Sequence, residues 1–149
     1  MKEVSISKNM MLSQHFSLGE LTKTKHVTPD GNIPSRVVVE NLKRLCPWLE
    51  ELRLRYNEPI IINSGYRSPA VNQLAGGSKT SNHLTGCAVD IRCAGKEQMI
   101  RYASILLDIA DGTKQDYDEL LIEQHGSVCW LHFAVRPKDN RRRIEFLKA

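Results

Sequence analysis

Residues 117–135 read YDELLIEQHGSVCWLHFAV, and this stretch decides the fold. YDELLIEQ (Tyr117 to Gln124) and VCWLHFAV (Val128 to Val135) are runs rich in branched, aromatic and apolar residues, the composition of strands. His125, Gly126 and Ser127 separate them, a short glycine-containing turn that joins neighbouring antiparallel strands. A hairpin placed late in the chain breaks the alternation of strand and helix that a parallel sheet needs. The expected class is therefore α+β, with a small, mostly antiparallel sheet flanked by helices.

Working outward, CAVDIRC (Cys87 to Cys93) reads as a buried strand, and IIINS (Ile60 to Ser64), opened by Glu58-Pro59, as a short one. Two amphipathic helices supply the other layer. Val38, Leu42, Leu45, Trp48, Leu49 and Leu52 recur at spacings of three and four, and Pro47 predicts a kink or break among them. Met99, Ile100, Ala103, Leu106 and Leu107 mark a second helix over 96–109. FSLGELTKT (Phe16 to Thr24) starts a short helix with Ser17 as cap and Glu20 at the capping-box position. HVTPDGNIP (His26 to Pro34) is dense in turn residues, and Ser64 to His83 is a long polar connection with one helical turn expected after Pro69. Residues 1–15 are expected to be a loose arm, residues 16–149 one domain, and the tail RPKDNRRRIEFLKA a basic surface segment.

Composition narrows the function classes. The chain has 149 residues, 41% hydrophobic and 26% charged, the balance of a soluble globular domain and not of a disordered one. Lys plus Arg is 21 against 17 Asp plus Glu, a net +4 that suits an anionic partner without demanding one. Arg141 to Arg143 with Lys138 form too short a basic cluster for a dedicated nucleic-acid surface, so no nucleic-acid partner is expected. No apolar run approaches the ~20 residues of a membrane helix, and no membrane insertion is expected. Glu3 and its polar neighbours stand where a signal peptide would have an apolar core, which predicts cytoplasmic synthesis. A monomer is expected. Cys46, Cys87, Cys93 and Cys129 contain no CxxC pair and read as reduced, buried thiols.

Two polar residues interrupt strands that otherwise read as core: Asp90 in AVDI and His132 in WLHFAV. A carboxylate in such a position is costly unless it is paired or bound to a cation. His83 precedes Asp90 by seven positions. Two imidazoles and a carboxylate suffice as protein ligands for a catalytic zinc with an open fourth position, although a lone strand His or Asp is ordinarily a hydrogen-bonded core residue.

The stretch SGYRSPAVNQLAGGSKTSNHLTGCAVDI, followed by WLHF, resembles the zinc D-Ala-D-Ala carboxypeptidases and murein endopeptidases of peptidase family M15, in particular their short phage and prophage members. The shared elements are SGYR, then S-x-H-x-x-G-x-A-x-D, then W-x-H, over roughly residues 16–135. The resemblance implies a hedgehog/DD-peptidase-like fold, Zn²⁺ as cofactor, and His83, Asp90 and His132 as its ligands. It implies peptidoglycan stem peptides as substrate, with Arg67 of SGYR reaching the site to hold a carboxylate or neutralise an oxyanion, and Ser81 lining the substrate cleft. Gly86 and Ala88 fit as small residues where the backbone passes the metal, while Tyr66 is expected to pack.

Many members place an acidic base three residues before the second zinc histidine. Here Cys129 stands there, a thiol that would tempt the metal. Glu123 is the nearest acidic candidate if the hairpin register sets it opposite Trp130 or His132. Glu119 shares its face farther along, Asp118 is expected on the other face, and His125 in the turn is a further helper. The first reading is a zinc peptidase with Glu123 as base. The alternative is a catalytically impaired, zinc-containing peptidoglycan-binding module of a phage or prophage particle. Release by holin-type lysis, carriage on a virion, or recycling of imported peptides in the cytoplasm all remain compatible with the sequence, as do several scissile bonds.

Overall fold

The computed structural model describes residues 7–148; residues 1–6, the first part of the expected arm, lie outside the described residues, as does residue 149. In chain order the elements are α1 (Leu18–Thr22), α2 (Arg36–Tyr56), β1 (Ile62–Ser64), α3 (Pro69–Leu74), a 3-10 turn (Asn82–Thr85), β2 (Ala88–Cys93), α4 (Lys96–Thr113), β3 (Glu119–His125), β4 (Val128–Ala134) and β5 (Arg143–Lys148). The five strands form one open sheet in the order β1-β2-β4-β3-β5. Every pairing is antiparallel except that of β3 with β5. The α+β class with a mostly antiparallel sheet therefore stands as the sequence predicts.

Strand parity builds the two faces of the sheet. Val89 and Ile91 of β2, Leu131 and Phe133 of β4 and Leu120 of β3 are buried against α2 and α4, together with Leu42, Leu45, Leu49, Leu52, Leu106 and Ile109. Their neighbours Asp90, Trp130 and His132 consequently point to the opposite face. Trp48 packs its ring 5.2 Å from that of Phe133, tying α2 to the centre of the sheet. All four cysteines are free and buried, in line with the reading of reduced thiols.

Pro47 does not break α2, which runs unbroken through it. Pro47 and Lys43 are both exposed, so the carbonyl that loses its amide partner lies on the solvent side, while Leu42, Leu45, Cys46, Leu49 and Leu52 hold the buried face. Packing of that face outweighs the local penalty. Three further boundaries differ from expectation. β1 begins at Ile62, two residues late; α4 continues to Thr113; and the basic tail, expected only as surface, forms β5 alongside β3.

A second set of contacts fixes the loops above the sheet. Ser17 caps α1 with a reciprocal capping box to Glu20. The Tyr66 amide donates to the Leu21 carbonyl at 2.8 Å. A β-carbon on Gly65 would stand 2.2 Å from that same oxygen, so the glycine of SGYR is required by close backbone approach. Buried Asn32 completes the lock: its Nδ2 donates to the carbonyls of Thr22 and Tyr66, and its Oδ1 accepts from the Ser68 amide. The end of α1 and the SGYR loop are thus tied together.

Candidate metal centre

Asp90 and His132 are directly opposed partners in the β2–β4 ladder, on the face away from the core. His83 reaches them from the 3-10 turn. Ser81 caps that turn by accepting from the His83 amide at 3.1 Å, and Gly86 ends it in the left-handed region at φ 75°. The His83 Nε2 lies 3.3 Å, and the His132 Nδ1 3.2 Å, from Asp90 Oδ1. One donor atom from each of the three residues falls within 4.8 Å of the other two, and all three residues are buried. The sequence separated these side chains by up to 49 positions; the sheet brings them together.

The bonds behind them select the atoms that face inward. His83 Nδ1 is 2.6 Å from the Gly65 carbonyl, which can only accept, so that nitrogen carries the proton and Nε2 presents its lone pair. His132 Nε2 is 3.0 Å from Glu119 Oε1, which leaves Nδ1 for the centre. Glu119 is held in turn by Asn82 Nδ2 at 2.6 Å and Arg143 Nη1 at 3.0 Å. Asp90 Oδ2 accepts from Arg67 Nη2 at 3.2 Å, and Arg67 Nε donates to Ser64 Oγ at 3.0 Å. Both imidazoles are thus oriented by an acceptor on the far ring nitrogen, as metal-bound histidines are.

The electrostatics ask for positive charge. Burial alone would raise the Asp90 pKa, but the His83 and His132 rings hold it far below the usual carboxylate range. Glu119, likewise opposed by burial, is pulled down to about 2 by its bonds to His132 and Asn82. Burial would lower His132, yet hydrogen bonds to Asp90 and Glu119 carry it up to about 9. Two buried carboxylates converge on the imidazoles, an arrangement that favours bound positive charge. A divalent cation can supply that charge, and two imidazole nitrogens plus one carboxylate oxygen are a fitting donor set for it.

The centre opens into a cleft of about 900 Å³ that also presents Arg67, Ser81, Glu123 and Trp130. The hairpin register pairs Glu123 with Trp130, the condition under which Glu123 faces the centre. Its Oε2 accepts from Trp130 Nε1 at 2.9 Å. Burial and the Asp90 charge raise the Glu123 pKa, with His132, Trp130 and Arg67 pulling the other way. Ser81 combines a place on the cleft wall with its capping bond. Tyr66 packs, as expected.

Several expectations are corrected. Cys129 is in β4, an odd number of residues from His132, and is buried in the core opposite Cys93. A regular strand turns position i−3 to the other face, so the thiol neither meets the metal centre nor occupies a base position. Asp118 does not face away: it and Glu119 both accept from Asn82 Nδ2. Gly86 abuts α2, where a β-carbon would stand 2.8 Å from Val38, and its small size serves helix packing. His125 is exposed at the end of β3. The residues missed altogether are Asn82, Arg136, Arg141 and Arg143, which surround Asp118 and Glu119. Only the alternation of Glu119 with Glu123 along β3 signalled part of this network.

His83, Asp90 and His132 form a group that could hold a metal ion at the floor of a cleft, with the Glu123 carboxylate on its wall, a donor set that fits metal-assisted hydrolysis. The chain belongs to the peptidase M15 family: the family model described as Peptidase M15 matches residues 14–118. By class it is a peptidase, of a family whose members are metallo-enzymes. The match includes Arg67, His83 and Asp90 and ends before His132, which the geometry supplies. Among curated proteins none matches the chain.

Proposed function

We propose that the protein is a zinc-dependent peptidase that hydrolyses peptide bonds in peptidoglycan stem peptides, as a D-Ala-D-Ala carboxypeptidase or a murein endopeptidase. The observation that carries this reading is the convergence of His83, Asp90 and His132 with their inward-facing atoms already selected. These three residues would hold the ion. Bound Zn²⁺ supplies Lewis acidity, polarising a carbonyl and making water a nucleophile near neutral pH.

The remaining chemistry belongs to the chain. Glu123 takes a proton from the attacking water, and its raised pKa favours holding that proton until the leaving amine receives it. Trp130 fixes one carboxylate oxygen of Glu123 and leaves the other for this transfer. Arg67 keeps Asp90 in place and offers a cation at the cleft wall for an oxyanion or a substrate carboxylate. Ser81 lines the peptide's path. Residues 16–149 act as one peptidase domain, as a monomer, on a wall reached by lysis or on a virion. No helix among the described residues is long and apolar enough to cross a membrane.

The test is digestion of purified peptidoglycan by zinc-loaded protein, read by mass spectrometry. Trimmed stems or released D-alanine are expected. His83→Ala should lose both zinc and cleavage. Glu123→Gln should keep zinc and lose about 10²–10⁴-fold in rate. Zinc-dependent wall binding without product, across several wall chemotypes, would establish the binding module instead, and full activity of Glu123→Gln would remove that residue from the base role.

A further inference from the structure

A second cavity, of about 640 Å³, adjoins the metal cleft and shares Arg67 and Ala75 with it. Its character differs. Lys23, Lys25, Arg67 and Arg92 line it, and no Asp or Glu does. Among the described residues Lys23, Lys25 and Arg92 make no ion pair with a carboxylate of the chain. Arg92 is instead held by a neutral partner, its Nε donating to Asn63 Oδ1 at 3.1 Å. Such an arrangement keeps a guanidinium placed while leaving its charge unspent. Leu74, largely exposed, gives the same cavity an apolar wall.

The cavity is built onto the metal centre and not merely beside it. Lys23 follows α1 directly, and the Asn32 lock and the Leu21–Tyr66 bond tie that end of α1 to the loop carrying Gly65 and Arg67. Gly65 in turn orients His83. A molecule whose reacting bond lies over His83, Asp90 and His132 can therefore extend past Arg67 into an adjoining pocket lined by the exposed charges of Lys23, Lys25 and Arg92, which no carboxylate among the described residues pairs. The opposite end of the cleft offers arginines too, but Arg136, Arg141 and Arg143 are each paired with Asp118 or Glu119.

We propose that this cavity is a substrate subsite that binds a free carboxylate on a short aliphatic stem, carried by the peptide on the Arg67 side of the scissile bond. The proposal rests on the peptidase reading and names the substrate class within it: peptides carrying an anionic side group near the cut, in preference to their amidated forms. Charge-assisted contacts from Lys23, Lys25 and Arg92 would discriminate the two by the loss of one such bond.

The probe is a set of stem pentapeptides, L-Ala-γ-D-Glu-meso-diaminopimelate-D-Ala-D-Ala, whose third residue carries a carboxylate on a short aliphatic stem, with each carboxylate amidated in turn. Dissociation constants are measured on zinc-loaded Glu123→Gln protein, and cleavage on the zinc-loaded protein itself. One amidation should weaken binding about tenfold, the equivalent of one charge-assisted hydrogen bond. The Lys25→Ala/Arg92→Ala variant, and separately Lys23→Glu, should bind the amidated and acidic peptides nearly equally while keeping zinc. Equal binding of all peptides by the unsubstituted subsite, or discrimination unchanged in both variants, overturns the subsite. Discrimination that survives without any cleavage overturns the peptidase reading and leaves the subsite standing.

Discussion

Glu119 sets the orientation of His132, and through it the donor atom that faces the candidate metal centre. Its carboxylate accepts a hydrogen bond from the Nε2–H, so the imidazole is anchored by charge as well as by direction. Glu119→Gln should keep an acceptor in place but remove the charge. Zinc affinity should fall about 10–100-fold, read by competition with a chromophoric chelator, and cleavage should recover at saturating zinc. Unchanged affinity would show that His132 is oriented by packing alone. This role was only partly legible. Asp90 and His132 stood out because a charged and a titratable group interrupt apolar strands, a pattern burial makes costly. Glu119 showed only as a residue on Glu123's face. The Gly65 carbonyl behind His83 is a backbone atom and has no signature of its own. Cys129 is expected near the metal only because the resembled family has its base three residues before the second histidine; in a regular strand that position faces the core.

At the scale of elements, α2 shows how a local rule yields to packing. Pro47 removes one helical hydrogen bond from a helix whose buried face fits the sheet through Trp48 and its neighbours. Because Pro47 is exposed, Pro47→Ala should restore that bond without disturbing the core. A proline in a helix interior costs about 3 kcal/mol relative to alanine. Its restriction of the unfolded chain returns about 0.4–1 kcal/mol. The variant should therefore be more stable by about 2–2.6 kcal/mol, seen as a higher urea midpoint with the same slope. A lower midpoint would mean that the proline ring packs usefully. β5 failed to show for the opposite reason. RIEFLK has strand-forming residues, but both of its faces are largely exposed, with Phe146 78% accessible, so burial imposed no alternation to read. Its parallel ladder to β3 and its arginine ion pairs hold it at the edge, and those are long-range contacts.

At the scale of the molecule, the tail that was expected only as a basic surface segment closes one edge of the sheet. Asp118 is fully buried, yet it accepts from the Arg141 amide, Nε and Nη2 at 2.8–3.1 Å, and its Oδ2 lies 3.1 Å from Arg136 Nε. Asn82 links this cluster to Glu119 and so to His132. The C-terminal arginines thus tie the far edge of the sheet to the wall of the metal cleft. Burial would raise the Asp118 pKa, but the bonds from Arg141 and Asn82 hold it below the ordinary value. A carboxyl with a depressed folded pKa stabilises the fold above its unfolded pKa of about 3.9, and that contribution is lost as pH falls through the lower folded value. Arg141→Gln should leave Asp118 buried with fewer donors, and its folded pKa should rise. Breaking a fully buried pair costs about 3–5 kcal/mol; with Arg141 half exposed, the loss at pH 7 should be about 1–3 kcal/mol. The gap between the two proteins should be widest near neutrality and narrow as acid neutralises Asp118, first in the variant and then in the parent. Urea unfolding at pH 7, 4 and 2.5 reads this directly, because the lower values reach the range in which Asp118 takes up its proton. A gap constant across that range would mean that Arg141 stabilises the sheet edge by packing its stem, with the Asp118 charge uninvolved.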